Sequence, residues 1–559
     1  MATTPPRWQE KAAAKRQAIF EAIPAQWRIQ ERLPSDDEQP DVTGKYIQQY
    51  LTDREIEITE CDALSITERT TTGAWTALEV TEAFCHRAAI AHQLVNCLLE
   101  IFFDQAITSA KALDAYFAEH KKPLGPLHGL PVSLKDQFHI KGVETTIGYV
   151  GWIGTFEGQR KLETSARTHE SELVRELRNL GAVLFCKTSV PTTLMAAETA
   201  NNIVGYTWNP TNRHLSAGGS SGGEGALIAL RGSPAGFGTD IGGSIRLPAT
   251  FNGIFGLRPS AGRMPYEGAA NTMDGQNCML SVVGPMATTA RSLKLLFKAV
   301  LLQEPWYHDP LALQLPWREA VEQQAARDRL CFGIMYDDGK VQPHPPVKRA
   351  LALVRRLLEA QGHRVIEWNP PSHQTAFDIA MQIFHLDGRA DIQAHLALSG
   401  EEQRAECFLQ PSEPQNAMQI AALNIQKRQY QKEYLVYWNS TAALTGTGRP
   451  VDALICSTCP YAAFLPGQYK HGDTPFVNVL DYPAVVFPVT YADRVVDKAE
   501  RPDVFLSEMD EVIQSQYDCD VAHGAPVGLQ LVGRRLEDEK VLALVEYVGR
   551  LLQKDTQST

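Results

Sequence analysis

The chain lacks several features that mark particular classes of protein. It has no basic block: its 53 lysines and arginines are outnumbered by 65 acidic residues, and the formal charge is −12. Nucleic-acid-binding domains usually carry a basic stripe, so this balance argues against a nucleic-acid partner. No apolar run approaches the roughly 20 residues of a membrane helix, and MATTPPRWQEKAAAKRQAIFEAI holds no signal-peptide core. The sequence therefore predicts a cytoplasmic protein with no membrane partner.

Cysteine and histidine are sparse as well. Ten cysteines in 559 residues are too few for a disulfide scaffold, and the 15 histidines include no H-E-x-x-H pattern. Cys456 and Cys459 form a C-x-x-C pair, but no second pair at zinc spacing accompanies them. We expect two buried thiols at the end of a strand. The sequence thus predicts neither a metal nor a cofactor.

Helix-like segments alternate with short apolar runs along most of the chain. HGLPVSLKD (128–136) predicts a buried strand, and ESELVRELRNLG (170–181) predicts a helix that leads into the strand AVLFCK (182–187). Further predicted elements follow the same alternation: strands at 329–337, 363–368, 452–458, 484–490 and 528–533, and helices at 347–362 and 538–552. The pattern predicts an α/β fold with a large mixed, mainly parallel β-sheet covered by helices on both faces.

The N-terminal residues differ from this alternation. Residues 7–35 predict one or two polar helices with Trp8, Ile19 and Ile23 on the apolar side, and residues 36–52 are polar and interrupted by proline and glycine. We expect residues 1–55 to form an N-terminal helical arm and linker, and residues 56–554 to form one large α/β domain.

One segment, residues 214–265, is unusually rich in glycine and holds two serine-containing clusters, GGSSGG (218–223) and GTDIGGSIRLP (238–248). Glycine lets backbone N–H groups approach a ligand closely, and a serine in such a loop can act as a nucleophile beside its oxyanion donors. The segment has no phosphate-loop motif, since G-x-x-x-x-G-K-[ST] is absent. Two adjacent clusters downstream of a lysine at a strand end favour catalysis over simple helix capping.

The residues alone also allow a different nucleophile in the first serine cluster. Gly218-Gly219-Ser220-Ser221-Gly222 satisfies the G-x-S-x-G elbow of α/β-hydrolases, although the preceding NPTNRHLSA is not strand-like. An α/β-hydrolase with Ser220 as nucleophile is therefore one alternative.

GGSSGGEGAL followed by GTDIGGSIRLPA resembles the amidase signature, and the upstream GPLHGLPVSLKDQF (125–138) resembles the catalytic-lysine segment of that family. KTSVPTTLMAAET (187–199) is similar to its substrate-side segment. Within the amidase signature family the chain is most similar to fungal acetamidase-type amidases, over nearly its whole length. The resemblance implies the amidase-signature fold and hydrolysis of carboxylic amides without a cofactor.

The resemblance also assigns roles to individual residues. It implies a triad of Ser244 as nucleophile, Ser220 as bridging serine after a cis peptide bond, and Lys135 as base. An oxyanion hole and supporting positions are implied beside the triad: backbone N–H groups of Ile241, Gly242, Gly243 and Ser244, supported by Ser221 and Asp240. A free lysine has a pKa of about 10.4, but burial among apolar neighbours can lower it by as much as 3–5 units. Lys135 would then take the Ser244 proton through Ser220.

The family analogy extends to the substrate, and two charged residues near the motifs are assigned from their own positions in the sequence. It implies an acyl pocket lined by Leu194, Met195, Tyr149 and Tyr482, a small aliphatic or aromatic amide as substrate, and a homodimer. We expect Lys187 to form a structural salt bridge and Arg246 to pair with Asp240. Two other functions stay open: a glutaminase-type subunit of a tRNA-dependent amidotransferase, and a carbamate or anilide hydrolase.

Overall fold

The structure is a computed structural model that describes residues 7–159, 168–327, 329–499, 502 and 504–558. Eleven of its described strands form one sheet in the order β1-β3-β2-β6-β8-β7-β12-β13-β11-β9-β10, and β4 pairs with β5 alone. The strands are β1 Leu98–Ile101, β2 Pro131–Lys135, β3 Val183–Thr188, β4 Ala200–Asn201, β5 Gly205–Tyr206, β6 Ala235–Asp240, β7 Phe255–Arg258, β8 Val282–Ala287, β9 Cys331–Ile334, β10 Arg364–Glu367, β11 Ala453–Cys456, β12 Ala484–Tyr491 and β13 Pro526–Val532.

The described α-helices lie between these strands and at both ends of the chain. They are α1 Trp8–Glu21, α2 Lys45–Gln48, α3 Asp53–Thr59, α4 Ala63–Thr70, α5 Ala77–Val95, α6 Phe103–His120, α7 Glu172–Asn179, α8 Gly222–Ala229, α9 Arg246–Phe251, α10 Ala290–Leu301, α11 Glu319–Glu322, α12 Pro345–Ala360, α13 His373–Phe384, α14 Ala390–Ala397, α15 Ala417–Ser440, α16 Ala442–Thr445, α17 Pro475–Leu480, α18 Glu508–Ser515, α19 Cys519–Ala522 and α20 Asp538–Ser558. No helix within the described ranges combines the length and apolarity needed to cross a bilayer.

The sheet is mixed, which confirms the predicted mixed α/β fold, but it is not mainly parallel. Among the ten neighbouring pairs of described strands in the main sheet, six are antiparallel and four are parallel. The prediction of mainly parallel pairing is therefore wrong. A strand buried on both faces shows the same apolar run in either direction, so the sequence pattern carries no information on strand direction.

Helices cover both faces of the sheet, as predicted. Neighbouring residues of a strand point to opposite faces, and Val485 and Val486 of β12 accordingly belong to two different apolar clusters. The Val485 cluster contains apolar side chains of α10, α12 and α20, whereas the opposite face packs on α8 and α13. The sheet is thus sealed on both sides, and polar groups buried at its strand ends need partners within the protein.

The N-terminal residues pack against one edge of the sheet. Ala12 and Ile19 of α1 are buried in an apolar cluster that also contains Trp152. The Lys15 ammonium lies 2.5 Å from a carboxylate oxygen of Glu100 and 2.7 Å from one of Glu144. Since Glu100 belongs to the edge strand β1, these contacts tie α1 to the sheet.

Candidate active site

The sheet topology brings the predicted lysine and both serine clusters together. β2 and β6 are parallel neighbours, with Ser133 paired to Gly236 and Leu134 to Phe237. Parallel neighbours present their carboxyl ends at the same edge of the sheet, so Lys135 at the end of β2 lies beside Thr239 near the end of β6.

The Lys135 amine is enclosed by hydroxyl groups. Its Nζ lies 2.8 Å from Ser220 Oγ and 2.8 Å from Thr239 Oγ1, and the side chain has no exposed surface. The Thr239 hydroxyl donates in turn to Gln137 Oε1 at 2.7 Å. The amine therefore sits within hydrogen-bonding distance of the serine that the resemblance assigns as the bridge.

Burial lowers the pKa of Lys135 to about 7. The charge on an ammonium is disfavoured away from water, and here this cost outweighs the attraction of Asp240 and Glu224, which both raise the pKa. Glu224 is itself fully buried, and burial raises its pKa to about 8 although the hydroxyls of Ser133 and Thr188 donate to it. A large fraction of Lys135 is thus neutral at neutral pH, as a proton acceptor must be.

The two glycine-rich clusters are joined directly. The Ser221 N–H donates to the carbonyl of Ser244 at 3.1 Å, and the peptide bond between Gly219 and Ser220 is cis, as the resemblance implied. A Cβ on Gly219 would lie 2.8 Å from backbone atoms of Ala196 and Glu198. Only glycine allows this close approach, which sets Ser220 beside Lys135.

Asp240 holds the loop that carries Ser244. Its carboxylate accepts from the Gly243 N–H at 2.8 Å, from Arg246 Nε and Nη2 at 3.0 Å each, and from Asn478 Nδ2 at 2.9 Å. Burial alone would raise the pKa of Asp240, but the Arg246 guanidinium and these donors hold the pKa far below its ordinary value. The predicted pairing of Arg246 with Asp240 is confirmed.

The predicted oxyanion donors differ in whether their backbone N–H groups already have a hydrogen-bond acceptor. Within the described part of the chain, the backbone N–H groups of Ile241, Gly242 and Ser244 have no hydrogen-bond acceptor. The Gly243 N–H, by contrast, already donates to Asp240 Oδ1 at 2.8 Å, and the oxyanion role of the loop stays a prediction. Gly243 has a φ of 120°, and a Cβ there would lie 2.5 Å from Thr474 Oγ1. Its role in this loop is to permit the turn.

A cavity of about 290 Å³ opens onto Ser244. Its base is formed by Gly219, Ile241, Gly242 and Ser244. Apolar side chains form most of its wall: Leu194, Met195, Leu247, Phe377, Met381, Phe384 and Phe408. Ionisable side chains also line it: Glu198, Glu406, Tyr469, Lys470 and His471. The cavity combines apolar volume with backbone N–H donors at one end, the arrangement expected of a small-molecule site.

Two of the four predicted pocket residues are not on this cavity. Leu194 and Met195 line it, but Tyr149 and Tyr482 do not. The fully buried Tyr149 ring packs 5.6 Å from Trp152, and the Tyr482 ring packs 5.6 Å from Trp438. Tyr149 fills the core, where burying a large aromatic side chain is favourable, whereas Tyr482 lines a separate cavity together with Arg258 and Lys427.

Other predicted groups are structural. Lys187 pairs with Asp136 at 2.6 Å, and both side chains are completely buried, which confirms the predicted salt bridge. Cys456 and Cys459 are buried free thiols at the end of β11, as predicted, and burial raises the pKa of Cys459 to about 12. The described residues include one trio with metal-ligand spacing, Asp518, Cys519 and Asp520, and none of the three lines the cavity.

Sequence reasoning missed Thr239, the second partner of Lys135, and most of the cavity wall. Thr239 could have been found, since it stands one position before Asp240 on a strand adjacent to β2. Phe377, Phe384 and Phe408 had no detectable signal, because they lie more than 130 positions after Ser244 in the sequence. Their arrival at the site depends on tertiary packing alone.

Comparison with known proteins places this architecture in one family. Residues 79–542 match the family described as Amidase. The chain is 44% identical over 553 residues to an acetamidase of Aspergillus oryzae, a match that covers 98% of this chain and 99% of that protein. It is 42% identical over 556 residues to an acetamidase of Emericella nidulans, with coverage of 98% and 99%.

A solved structure agrees. The structure of a fatty acid amide hydrolase superposes with a TM-score of 0.88 at 33% identity, covering 98% of this chain and 95% of that one. The chain belongs to the amidase signature family. It is an amidase, an enzyme that hydrolyses amides, and the resemblance drawn from its glycine-rich clusters is confirmed.

Proposed function

We propose that this amidase cleaves small aliphatic or aromatic carboxylic amides to the acid and ammonia or amine, through an acyl-enzyme on Ser244. The observation that carries the proposal is the position of the buried Lys135 amine, which lies 2.8 Å from Ser220 Oγ. The loop that contains Ser220 is in turn hydrogen-bonded to the loop that contains Ser244. A serine hydroxyl is a weak nucleophile without a base, and a neutral buried lysine is such a base.

In the acylation step, a proton passes from Ser244 through Ser220 to Lys135. Ser244 Oγ attacks the amide carbon while its proton passes to Ser220 Oγ, and the Ser220 proton passes to the Lys135 lone pair. The carbonyl π electrons move to oxygen, and N–H groups of the 241–244 loop stabilise the oxyanion that forms. The oxyanion then collapses, the C–N bond breaks, and the relay runs in reverse to protonate the departing nitrogen.

Deacylation repeats the same transfers with water. A water molecule gives one proton to the Ser220–Lys135 relay and adds to the ester carbon. When the tetrahedral intermediate collapses, the C–O bond to Ser244 breaks and Ser244 Oγ recovers a proton. The acid leaves, and Lys135 returns to its neutral form.

The cavity supports a compact acyl group. About 290 Å³ enclosed by phenylalanine, methionine and leucine side chains suits a short aliphatic chain or one aromatic ring. The relatives named acetamidase are similar over nearly the whole chain, which supports small amides as substrates. The expected cytoplasmic location and homodimer stay predictions; light scattering during gel filtration would test the homodimer.

An amide panel tests the proposal. Purified wild type and Ser244→Ala are assayed for ammonia or amine release from acetamide, butyramide, benzamide, an anilide, a carbamate ester and glutamine. The proposal expects wild type to prefer the small amides and Ser244→Ala to be inactive on all of them. Exclusive turnover of the carbamate or anilide would favour the alternative hydrolase, and ammonia from glutamine that requires a partner chain would favour the glutaminase subunit.

The rate should depend on pH through Lys135. Only the neutral amine accepts a proton, and burial lowers the pKa of Lys135 to about 7, so log kcat/KM should rise with a slope of 1 below about pH 7 and level off above it. A pH–rate profile on a neutral amide measures this directly. A profile that is flat between about pH 5.5 and pH 8.5 would exclude Lys135 as the base.

The cavity wall should set acyl-group preference. Met381→Trp replaces a flexible side chain on the cavity wall with a bulky indole ring and leaves less room for the acyl group. The value of kcat/KM for benzamide should therefore fall at least tenfold relative to that for acetamide, in the range that pocket size typically contributes. Met418→Trp is the matched control, because Met418 is highly exposed and lies outside the cavity. Equal losses for the two substrates would mean that the acyl group binds elsewhere.

A further inference from the structure

The hydrogen bonds that lead away from Lys135 through Thr239 and Gln137 have a fixed donor and acceptor at each step. The Thr239 hydroxyl donates its single proton to Gln137 Oε1 at 2.7 Å, so toward Lys135 it can act only as an acceptor. Gln137 is fixed in turn, because its Nε2 donates to the Tyr266 hydroxyl at 2.8 Å. Burial raises the pKa of Tyr266 to about 12, so this hydroxyl stays protonated in the range where Lys135 titrates.

This direction matters for a neutral amine, which has two N–H bonds and one lone pair. With Thr239 as an acceptor, one N–H of Lys135 points at Thr239 Oγ1, and the lone pair is left for the Ser220 hydroxyl 2.8 Å away. If the Thr239 proton pointed at Lys135 instead, it would occupy the lone pair and compete with Ser220 for it.

We propose that Gln137 is a positioning residue for the catalytic base: by accepting the Thr239 proton, it directs the Lys135 lone pair toward Ser220. The inference rests on the proposed function, in which Lys135 takes the Ser244 proton through Ser220. Among the described residues, the Gln137 side chain is hydrogen-bonded to Thr239 and Tyr266 and does not line the cavity, so it acts through Thr239.

A neutral amide suits this position better than a carboxylate. Lys135 already faces the carboxyl groups of Asp240 from β6 and Glu224 from α8, and a negative charge on either raises its pKa against the effect of burial. The neighbouring Asp136 carboxylate is paired with Lys187. A third carboxylate near the amine would favour the ammonium, which cannot accept a proton. Gln137 provides the acceptor without the charge.

Two substitutions are expected to act in opposite directions. In Gln137→Leu the Thr239 proton loses its acceptor and turns to the Lys135 lone pair, which favours the neutral amine and lowers its pKa. Because one hydrogen bond then has to be broken before Ser220 can be deprotonated, kcat should fall about tenfold with KM unchanged. In Gln137→Glu the acceptor remains but the added charge favours the ammonium, so the pKa of Lys135 should rise.

The test measures Lys135 itself. Wild type, Gln137→Leu and Gln137→Glu are labelled with ¹³Cε-lysine and titrated by NMR, and the Lys135 signal is assigned by its loss in Lys135→Met. The expected result is a downward pKa shift in Gln137→Leu and an upward shift in Gln137→Glu. In parallel, the rising limb of kcat against pH should move in the same two directions. Gln137→Met is a second apolar variant in case Gln137→Leu does not fold.

The outcome separates this inference from the proposed function. An unchanged or raised Lys135 pKa in a folded apolar variant would overturn it, and would indicate a Gln137 amide in the opposite orientation. Lower melting temperatures without opposite pKa shifts would assign Gln137 a structural role only. The titration requires no turnover, so an absence of amide hydrolysis in wild type would contradict the proposed function and leave the test of Gln137 intact.

Discussion

Lys135→Met is expected to lower kcat for amide hydrolysis by about 10⁴- to 10⁶-fold, the range seen when one member of a catalytic triad is removed from other serine hydrolases. Methionine preserves the apolar stem but has no basic nitrogen, so the Ser220 proton has no acceptor. KM should change little, since Lys135 does not line the cavity. Steady-state kinetics on the best amide of the panel measure the loss.

A stability measurement is the control for this variant. The folded protein pays to bury the Lys135 amine, which is why its pKa is lowered to about 7. The unfolded chain binds this proton with a pKa of about 10.4, so the folded protein loses stability as the pH falls from there to about 7, and below pH 7 the whole loss is present. Methionine removes this loss. We therefore expect Lys135→Met to unfold at a higher temperature than wild type at pH 6. Near wild-type activity in this folded variant would exclude lysine as the base.

Asp240→Ala is expected to produce the largest loss of stability, about 3–5 kcal/mol of the free energy of unfolding. Asp240 and Arg246 are both completely buried and pair at 3.0 Å, and removing one partner leaves an uncompensated charge in the core. The Gly243 N–H and the Asn478 amide lose their acceptor at the same time. Because the loop of Ser244 is held by these bonds, activity should fall together with stability.

Urea unfolding followed by circular dichroism measures this prediction. Glu546→Ala is the matched control, since the Glu546–Arg550 pair at 3.0 Å is a surface helix pair, and such pairs typically contribute about 0.5 kcal/mol or less. An Asp240 variant as stable as the Glu546 variant would show that the buried pair does not hold the loop.

Elements with a strong local signal were predicted well. The apolar run at 128–136 contains β2, the run at 182–187 overlaps β3, and the amphipathic segment at 347–362 corresponds to α12. Strand direction was not predictable, because it depends on how the chain returns across the sheet. The antiparallel block from β6 to β11 in the centre of the sheet is the result of those returns.

The candidate site also has some features that the local sequence predicts and others that depend on the tertiary structure. Lys135, Ser220 and Ser244 lie in the segments that resemble the amidase signature, so the sequence predicts that they act together. The structure places Lys135 beside Ser220 and joins the two serine loops. The Asp240 contact to Gly243 and the Gln137–Thr239 hydrogen bond depend on rotamers and loop geometry that no short motif encodes. The tyrosines assigned to the pocket by analogy were misplaced because aromatic residues serve the core equally well.

The nucleophile is tested most directly by intact-mass spectrometry with a fluorophosphonate probe on wild type and Ser244→Ala, followed by peptide mapping. The proposed mechanism predicts one adduct on wild type, mapped to Ser244, and none on the folded Ser244→Ala variant. An adduct on Ser220 that persists in Ser244→Ala would contradict it and assign the nucleophile to the first serine of GGSSGG.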